Sequence, residues 1–244
     1  MKLAVIADIH GNLEALAEVL ADIDRIGADF IINLGDIIGY GPDPENVARL
    51  LRSRSIPSVM GNHELGFVRP DFLDWFNETA RVSLVMSAAL ISADTREWLK
   101  GLDATLVFEQ ALFVHGCPPH SVLEYIFQKN DEQLRAIFRN MEERICFVGH
   151  THTLGAICFS DSIIRRLTLG EGPFDLVSHC KYIISVGSVG QPRDGYNYSA
   201  KYALWDTANR RLINRFVPYE VSKTAGKIIS LGFPRINAVR LGRC

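Results

Sequence analysis

The sequence predicts an α/β fold, and three observations predict it. Apolar runs of strand length alternate with segments of helical spacing in the N-terminal part of the chain. Each of those runs stops at a polar cluster. Beyond His152 the pattern changes to short strand-like pieces divided by Gly, Pro, Asn and Asp. With 244 residues, 48% hydrophobic and 22% charged, the chain can bury one large core, so 1–244 is expected to be a single domain.

Lys2 and the apolar run Leu3 to Ala7 resemble the start of a secretory signal, but Asp8 breaks the run too early for one. It reads instead as a buried first strand. Leu13, Leu16, Ala17, Leu20, Ile23 and Ile26 follow at helical spacing, predicting a helix over Leu13–Ile26. The pair repeats as a strand over Phe30–Leu34 and a helix over Pro44–Leu51, where Asp43 can cap and Pro44 suits the first turn. Ser58–Met60 is a third strand candidate. This alternation implies parallel strands joined by right-handed crossovers.

Residues 71–102 lack strand signals and read as two or three helices forming a small cap beside the site. Strand patterns return at Thr105–Glu109, Leu112–Val114 and Ile145–Val148, with a helix near Asp131–Met141. Leu154–Phe159, Ile163–Leu167, Tyr182–Val186, Lys201–Asp206 and Arg211–Phe216 are expected to form an antiparallel second sheet. Residues 220–231 read as the last helix. Arg235, Arg240 and Arg243 then form a basic tail, read as a solvated end, with an oligomer contact or an aid to phosphate-bearing ligands as alternatives.

The formal net charge of −2 gives no broad positive field, so no extended nucleic-acid partner is expected and any phosphate binding must be local. No segment approaches the roughly 20 apolar residues that span a bilayer. A soluble, cytoplasmic protein with no membrane partner is the expectation. The five cysteines, Cys117, Cys146, Cys158, Cys180 and Cys244, contain no C-x-x-C pair and read as small buried side chains.

The chemistry is carried by histidine placement. Of seven histidines, five (His10, His63, His115, His150 and His152) fall at predicted strand ends beside carboxylates, amides or glycines. That is the edge where open α/β sheets place ligands. Asp8-x-His10 and His150-x-His152 each set two ligand types two residues apart, sharing a face if extended or converging on one ion in a tight turn. Imidazole with carboxylate suits Mn, Fe, Zn and similar ions, while the absence of cysteine from these positions argues against a thiolate site. Asp8, His10, Asp36, Asn62, His115, His150 and His152 are too many for one ion and match two ions sharing a carboxylate.

Asp8-x-His10, Gly35-Asp36, Gly61-Asn62-His63-Glu64, His115-Gly116 and Gly149-His150-x-His152, in this order, resemble the motif blocks of the calcineurin-like metallophosphoesterase superfamily. Gly187-Ser188-Val189-Gly190-Gln191-Pro192-Arg193 is similar to a glycine-rich loop of its small bacterial phosphodiesterase-like branch. The resemblance implies a four-layer α-β-β-α sandwich with two mixed central sheets. It implies that Asp8, His10, Asp36 and His152 hold one metal, that Asn62, His115 and His150 complete a second, and that Asp36 bridges. Mn2+ is the first expectation for the ions, with Fe, Zn, Ni, Co and Mg as alternatives. His63 is implied to face substrate off the metals, as general acid, with Glu64 supporting it. The implied reaction is direct attack of a metal-bridging hydroxide on the phosphorus of a small phosphate-ester or nucleotide substrate, a diester or a monoester.

Arg193 is a candidate to clamp a phosphate oxygen or to pair with a nearby acid. Tyr40, Asn197 and Tyr198 are candidates for the cleft wall. Gly187 to Gly190 read as a tight turn, since no G-x-G-x-x-G follows the first strand. Serine/threonine protein phosphatases of the superfamily carry Asp-Arg after Gly-Asp. Here Ile37-Ile38-Gly39-Tyr40 follow, which disfavours that activity. A dinucleoside tetraphosphate hydrolase, a nuclease and a non-catalytic scaffold remain as further alternatives. A scaffold typically loses ligands, and all seven are present. Oligomeric state is open.

Overall fold

A computed structural model describes residues 1–195 and 197–242. The N-terminal alternation forms as read: β1 (Lys2–Ile6), α1 (Leu13–Ile26), β2 (Phe30–Asn33) and α2 (Pro44–Ser53). Asn12 starts α1 by accepting the Ala15 N–H at 3.1 Å, and Gly27 ends it in the left-handed conformation. Asp43 precedes α2 but its side chain makes no capping bond. Lys227 Nζ takes its carboxylate at 2.7 Å instead.

Ser58–Met60 forms no strand, only an isolated bridge from Ser58 to Asn33. The chain turns there straight into α3 (Asn62–Val68). A 3-10 turn over Pro70–Trp75, α4 (Glu78–Ala89) and α5 (Ala93–Lys100) fill the helical segment. Next come β3 (Thr105–Phe108), β4 (Ala111–Val114), α6 (Asp131–Asn140), β5 (Ile145–Val148), β6 (Leu154–Ser160) and β7 (Ile163–Thr168). The remainder is β8 (Gly172–Asp175), β9 (Lys181–Val186), β10 (Ala200–Asp206), β11 (Arg211–Val217), α7 (Val221–Ser230) and α8 (Arg235–Leu241).

The C-terminal strands do not build a separate antiparallel sheet. They divide between two mixed sheets, ordered β2-β1-β10-β11-β8 and β3-β4-β5-β9-β6-β7. β10 pairs antiparallel with β1 (Lys2 opposite Asp206), while β9 joins parallel to β5. Alternation within β1 explains the layering. Leu3 and Val5 pack with Phe113, Phe147 and Ile184 between the sheets, whereas Ala4 and Ile6 meet α1 and α2 on the outer face. Leu134 and Phe138 of α6 cover the far face of the second sheet against Val114, Val148 and Ile183. The result is helix, sheet, sheet, helix. With both faces covered, β1 reads as an unbroken apolar run. Phe147 is fully buried in the middle layer, where truncation to Ala would cost about 3–5 kcal/mol.

Phe76, Ala80, Leu84, Ile91 and Leu99 of the 71–102 segment join the outer core of the first sheet. α8 was not foreseen. Arg235 and Arg240 are exposed on it, while Arg243 and Cys244 lie outside the described residues. The other four cysteines are buried and form no disulfide. No helix among the described residues is long and apolar enough to cross a membrane.

Candidate metal centre

The parallel strands β1, β2, β4 and β5 end at one edge of the molecule, and their polar clusters meet there. Gly35 O accepts the Asp8 N–H at 3.1 Å and Asp36 O accepts the His10 N–H at 2.8 Å, lacing the loops after β1 and β2 together. The loop after β9 closes on the first of these, with Gly190 N donating to Asp8 O at 2.9 Å. A Cβ at Gly190 would stand 1.8 Å from Ile9 O, so only glycine permits this approach. The glycine-rich loop is thus a packing turn.

Five of the seven predicted ligands, Asp8, His10, Asp36, His150 and His152, have φ between 50° and 63°. Left-handed backbone is uncommon for such residues and costs on the order of 1–3 kcal/mol each when the surroundings impose it. The turn at Asp8 and His10 aims both side chains into one ligand group, the second of the two geometries left open by the two-residue spacing, whereas His150 and His152 enter different groups.

Asp8, His10, Asp36 and His152 bring ligand atoms within 4.8 Å of one another, and so do Asp36, His115 and His150. Asn62 Oδ1 lies 3.0 Å from His115 Nε2, adding the seventh side chain to the second group. All seven are buried. Asp36 Oδ2 stands 3.5 Å from His10 Nε2 and 3.3 Å from His115 Nε2, facing both groups at once.

Each imidazole has its outward nitrogen on a main-chain carbonyl. His10 Nδ1 reaches Ile38 O (3.0 Å), His115 Nδ1 Leu34 O (2.8 Å), His152 Nδ1 Gln191 O (2.7 Å) and His150 Nε2 Leu123 O (3.2 Å). An N–H donated outward leaves the inward nitrogen as a lone pair, which is how metal-ligating histidines are held. His10 Nε2 and His152 Nε2 then face each other at 3.2 Å, and Asp8 Oδ2 is buried with no hydrogen-bond partner. Lone pairs crowded this way repel unless a cation stands among them. The donor set therefore fits divalent metal ions.

The charges are consistent with that. Burial pushes the Asp8 carboxyl up to about 7, whereas Asp36, although buried, is held well below the usual range by His115, His63 and His10. His115 is also buried, but Asp36 and Asp8 outweigh that and lift it to about 9. A proton on it stands where a cation would displace it. Burial drives His150 down to about 3.

His63 lies outside both ligand groups. Its main-chain N–H donates to Asp36 Oδ1 at 3.0 Å, and its ring packs against those of His10 (4.7 Å), Tyr40 (4.8 Å) and Phe76 (5.1 Å). A Cβ at Gly39, where φ is 86°, would come within 2.1 Å of His63 Nδ1, so glycine makes room for the ring. Burial lowers the His63 imidazole to about 4. Glu64 accepts four main-chain N–H groups, from Asp36 (2.8 Å), Ile37 (2.9 Å), Ile38 (3.1 Å) and Gly61 (2.9 Å), and so fixes the Asp36 loop to the start of α3.

Arg193 donates to Gln191 Oε1 at 2.7 Å and lays its guanidinium over the Tyr40 ring at 5.6 Å, beside the histidines. Tyr40 therefore belongs to the site. Asn197 accepts the Ser199 N–H, and Tyr198 lines a groove with Val221, Ala225 and Leu241 instead. Sequence reasoning missed Trp75 and Tyr125, whose rings lie 6.0 Å and 3.8 Å from that of His150. Trp75 ends the short 3-10 turn next to Phe76, and Tyr125, in a loop, precedes Phe127; neither falls in a periodic pattern that would flag it.

The sequence matches the calcineurin-like phosphoesterases over residues 1–154, a span that includes all seven converging side chains. An uncharacterized protein of Methanocaldococcus jannaschii is 35% identical over 244 residues, covering 98% of this chain and 96% of that protein. A crystallographic metallophosphoesterase of Sphaerobacter thermophilus is 33% identical with a TM-score of 0.84, covering 99% of this chain and 98% of that one. A hypothetical protein of Pyrococcus horikoshii has the same fold, with a TM-score of 0.79 at 19% identity over 98% of this chain and 97% of its own. The chain belongs to the calcineurin-like phosphoesterase family.

Proposed function

We propose that this protein hydrolyses phosphate esters with two divalent metal ions, acting as a small-molecule or nucleotide phosphodiesterase. The observation that supports this reading is the place of Asp36 in both ligand groups, each gathered within 4.8 Å. Asp8, His10, Asp36 and His152 would hold one ion. Asp36, Asn62, His115 and His150 would hold the other, Mn2+ being the first candidate for both. Bound ions of this kind polarise phosphate oxygens and lower the pKa of water toward about 7.

The chain's own contribution is preorganisation and charge. Main-chain carbonyls fix four imidazoles before any ligand arrives, and Glu64 fixes the Asp36 loop. Two carboxylates against two divalent ions leave the site net positive, suited to an anionic phosphate. The Arg193 fork, held by Gln191 and Tyr40, would grip a phosphate oxygen. His63 has Nδ1 against Gly39, so Nε2 is the atom that would carry the proton for the departing oxygen, once a bound phosphate anion offsets the burial that lowers this imidazole.

A protein phosphatase is disfavoured because Ile37, Ile38, Gly39 and Tyr40 follow Asp36 and supply no Asp-Arg pair to grip phosphate. The test is hydrolysis of a bis-aryl phosphodiester and the matching aryl monoester by metal-stripped protein reloaded with Mn2+, beside Asp36→Asn. Turnover that requires the ion, favours the diester and is lost in Asp36→Asn is the expected result. Protein that binds no divalent metal would overturn the reading.

A further inference from the structure

The wall of the centre behind His150 is aromatic. Tyr125 lies on His150 with 3.8 Å between centroids and 18° between planes. Trp75 stands 6.0 Å from His150 at 25° and 6.3 Å from Tyr125 at 18°. Phe127 continues the row 5.0 Å from Tyr125, tilted by 39°. Trp75, Tyr125 and His150, from three separate segments, thus share nearly one orientation. Aromatic neighbours elsewhere in the same cluster meet edge to face, Trp75 with Phe76 at 88° and Phe76 with His63 at 71°.

The row is also left open to water. Trp75 is 44% exposed and Phe127 64% exposed, beside ligand residues that are almost completely buried. Large rings that a core would cover are here presented at the border of a charged site.

We propose that Trp75, Tyr125 and Phe127 form a stacking platform for a nucleobase carried on the phosphate ester, which makes the substrate class nucleotide esters and not sugar or lipid phosphates. The proposal rests on phosphate binding at the metal centre. His150 belongs both to the ligand set and to the row of rings, so a base resting on Trp75 lies about one side chain from the phosphate. Stacking a base on aromatic side chains is sequence-tolerant and strengthens binding by roughly 5- to 150-fold. No hydrogen-bonding pocket for a particular base is needed, so the platform would accept purines over pyrimidines by ring area alone.

The experiment is calorimetric titration of the Mn2+-loaded full chain with adenosine 5′-monophosphate and with ribose 5-phosphate, repeated on Trp75→Leu, Trp75→Phe and Tyr125→Leu. Circular dichroism would confirm that each variant is folded. The nucleotide is expected to bind at least about 10-fold tighter than the sugar phosphate. Trp75→Leu and Tyr125→Leu should each shrink that ratio, and Trp75→Phe should retain part of it. Equal affinities in the parent protein, or a ratio unmoved in both leucine variants, would overturn the platform and leave the metal centre standing. If neither phosphate binds, the phosphate reading fails, and titration with adenosine against ribose still decides the platform.

Discussion

Asp8 and Asp22 are both buried carboxylates next to the first sheet, yet their surroundings are opposite. Asp22, on α1, accepts Tyr202 Oη at 2.8 Å, Arg215 Nε and Nη2 at 3.0 Å each, and Arg25 Nη2 at 2.6 Å. Asp8 has one N–H, from His150 at 3.1 Å, and its second oxygen has none. A buried charge is tolerated when hydrogen-bonded and paired and is otherwise costly. Asp22 is therefore complete within the protein and belongs to its architecture. Asp8 is completed only by something that arrives from solvent, and its neighbours are inward-facing imidazoles.

That contrast can be broken most sharply at Asp8. Replacement by Asn is expected to lower metal-dependent turnover by more than about 100-fold, since even the residues that merely orient metal ligands cost 10- to 100-fold. It should also remove most of the stabilisation that the ion confers, about 2.7 kcal/mol at an ion concentration 100 times its Kd. Without metal, Asp8→Asn should change stability by no more than about 0.5 kcal/mol, because the group removed has an unpartnered oxygen. Urea unfolding with Mn2+ and with chelator measures both quantities. A metal-free variant destabilised by several kcal/mol would make Asp8 a structural residue like Asp22.

Glu64 tests the intermediate case, a buried acid whose partners are all main-chain amides. Glu64→Gln points a donor at donors, so a loss of about 1–3 kcal/mol is expected, with a 10- to 100-fold fall in turnover through the displaced Asp36 loop. Equal activity in the variant would mean that the Asp36 loop holds its place unaided. At Asp22 the pattern reverses. Asp22→Ala should cost about 2 kcal/mol, a figure reduced because Arg215 and Arg25 can regain water, while the stabilisation by Mn2+ stays as it was. A changed metal increment would show that the two regions are coupled.

The same difference governs what could be read in advance. Asp8, His10, Asp36, His115, His150 and His152 stood out because each polar cluster interrupts an apolar run at a predictable sheet edge, and the helix over Leu13–Ile26 followed from spacing alone. Partner choice was less legible. Alternation tells which face of β10 is buried but not that it inserts between β1 and β11, which packing of the whole chain decides. β8 was hidden by Gly172 and Pro173, weak strand formers tolerated because the strand lies at a sheet edge. Asp43 looked like a cap, yet its carboxylate is taken by Lys227, 184 residues away. Trp75 and Tyr125 carry no periodic signal at all.

The smallest effect is also the most specific to Asp22. Burial alone would raise its carboxyl, but the bonds from Arg215 and Tyr202 and the charges of Arg215 and Arg25 outweigh it and hold the group below its ordinary value. A folded-state pKa depressed in this way contributes stability that is present above the unfolded value of about 3.9 and is lost as pH falls through the folded one. Tyr202→Phe removes one of the opposing bonds, so it should cost about 1 kcal/mol at neutral pH. Its loss of stability as pH falls below about 4 should be correspondingly shallower, because the folded pKa moves back toward the unfolded one. Urea midpoints measured across that range for the parent and Tyr202→Phe read the difference directly. Parallel acid limbs would show that the hydroxyl does not act on the carboxylate, leaving the arginines to hold Asp22 charged by themselves.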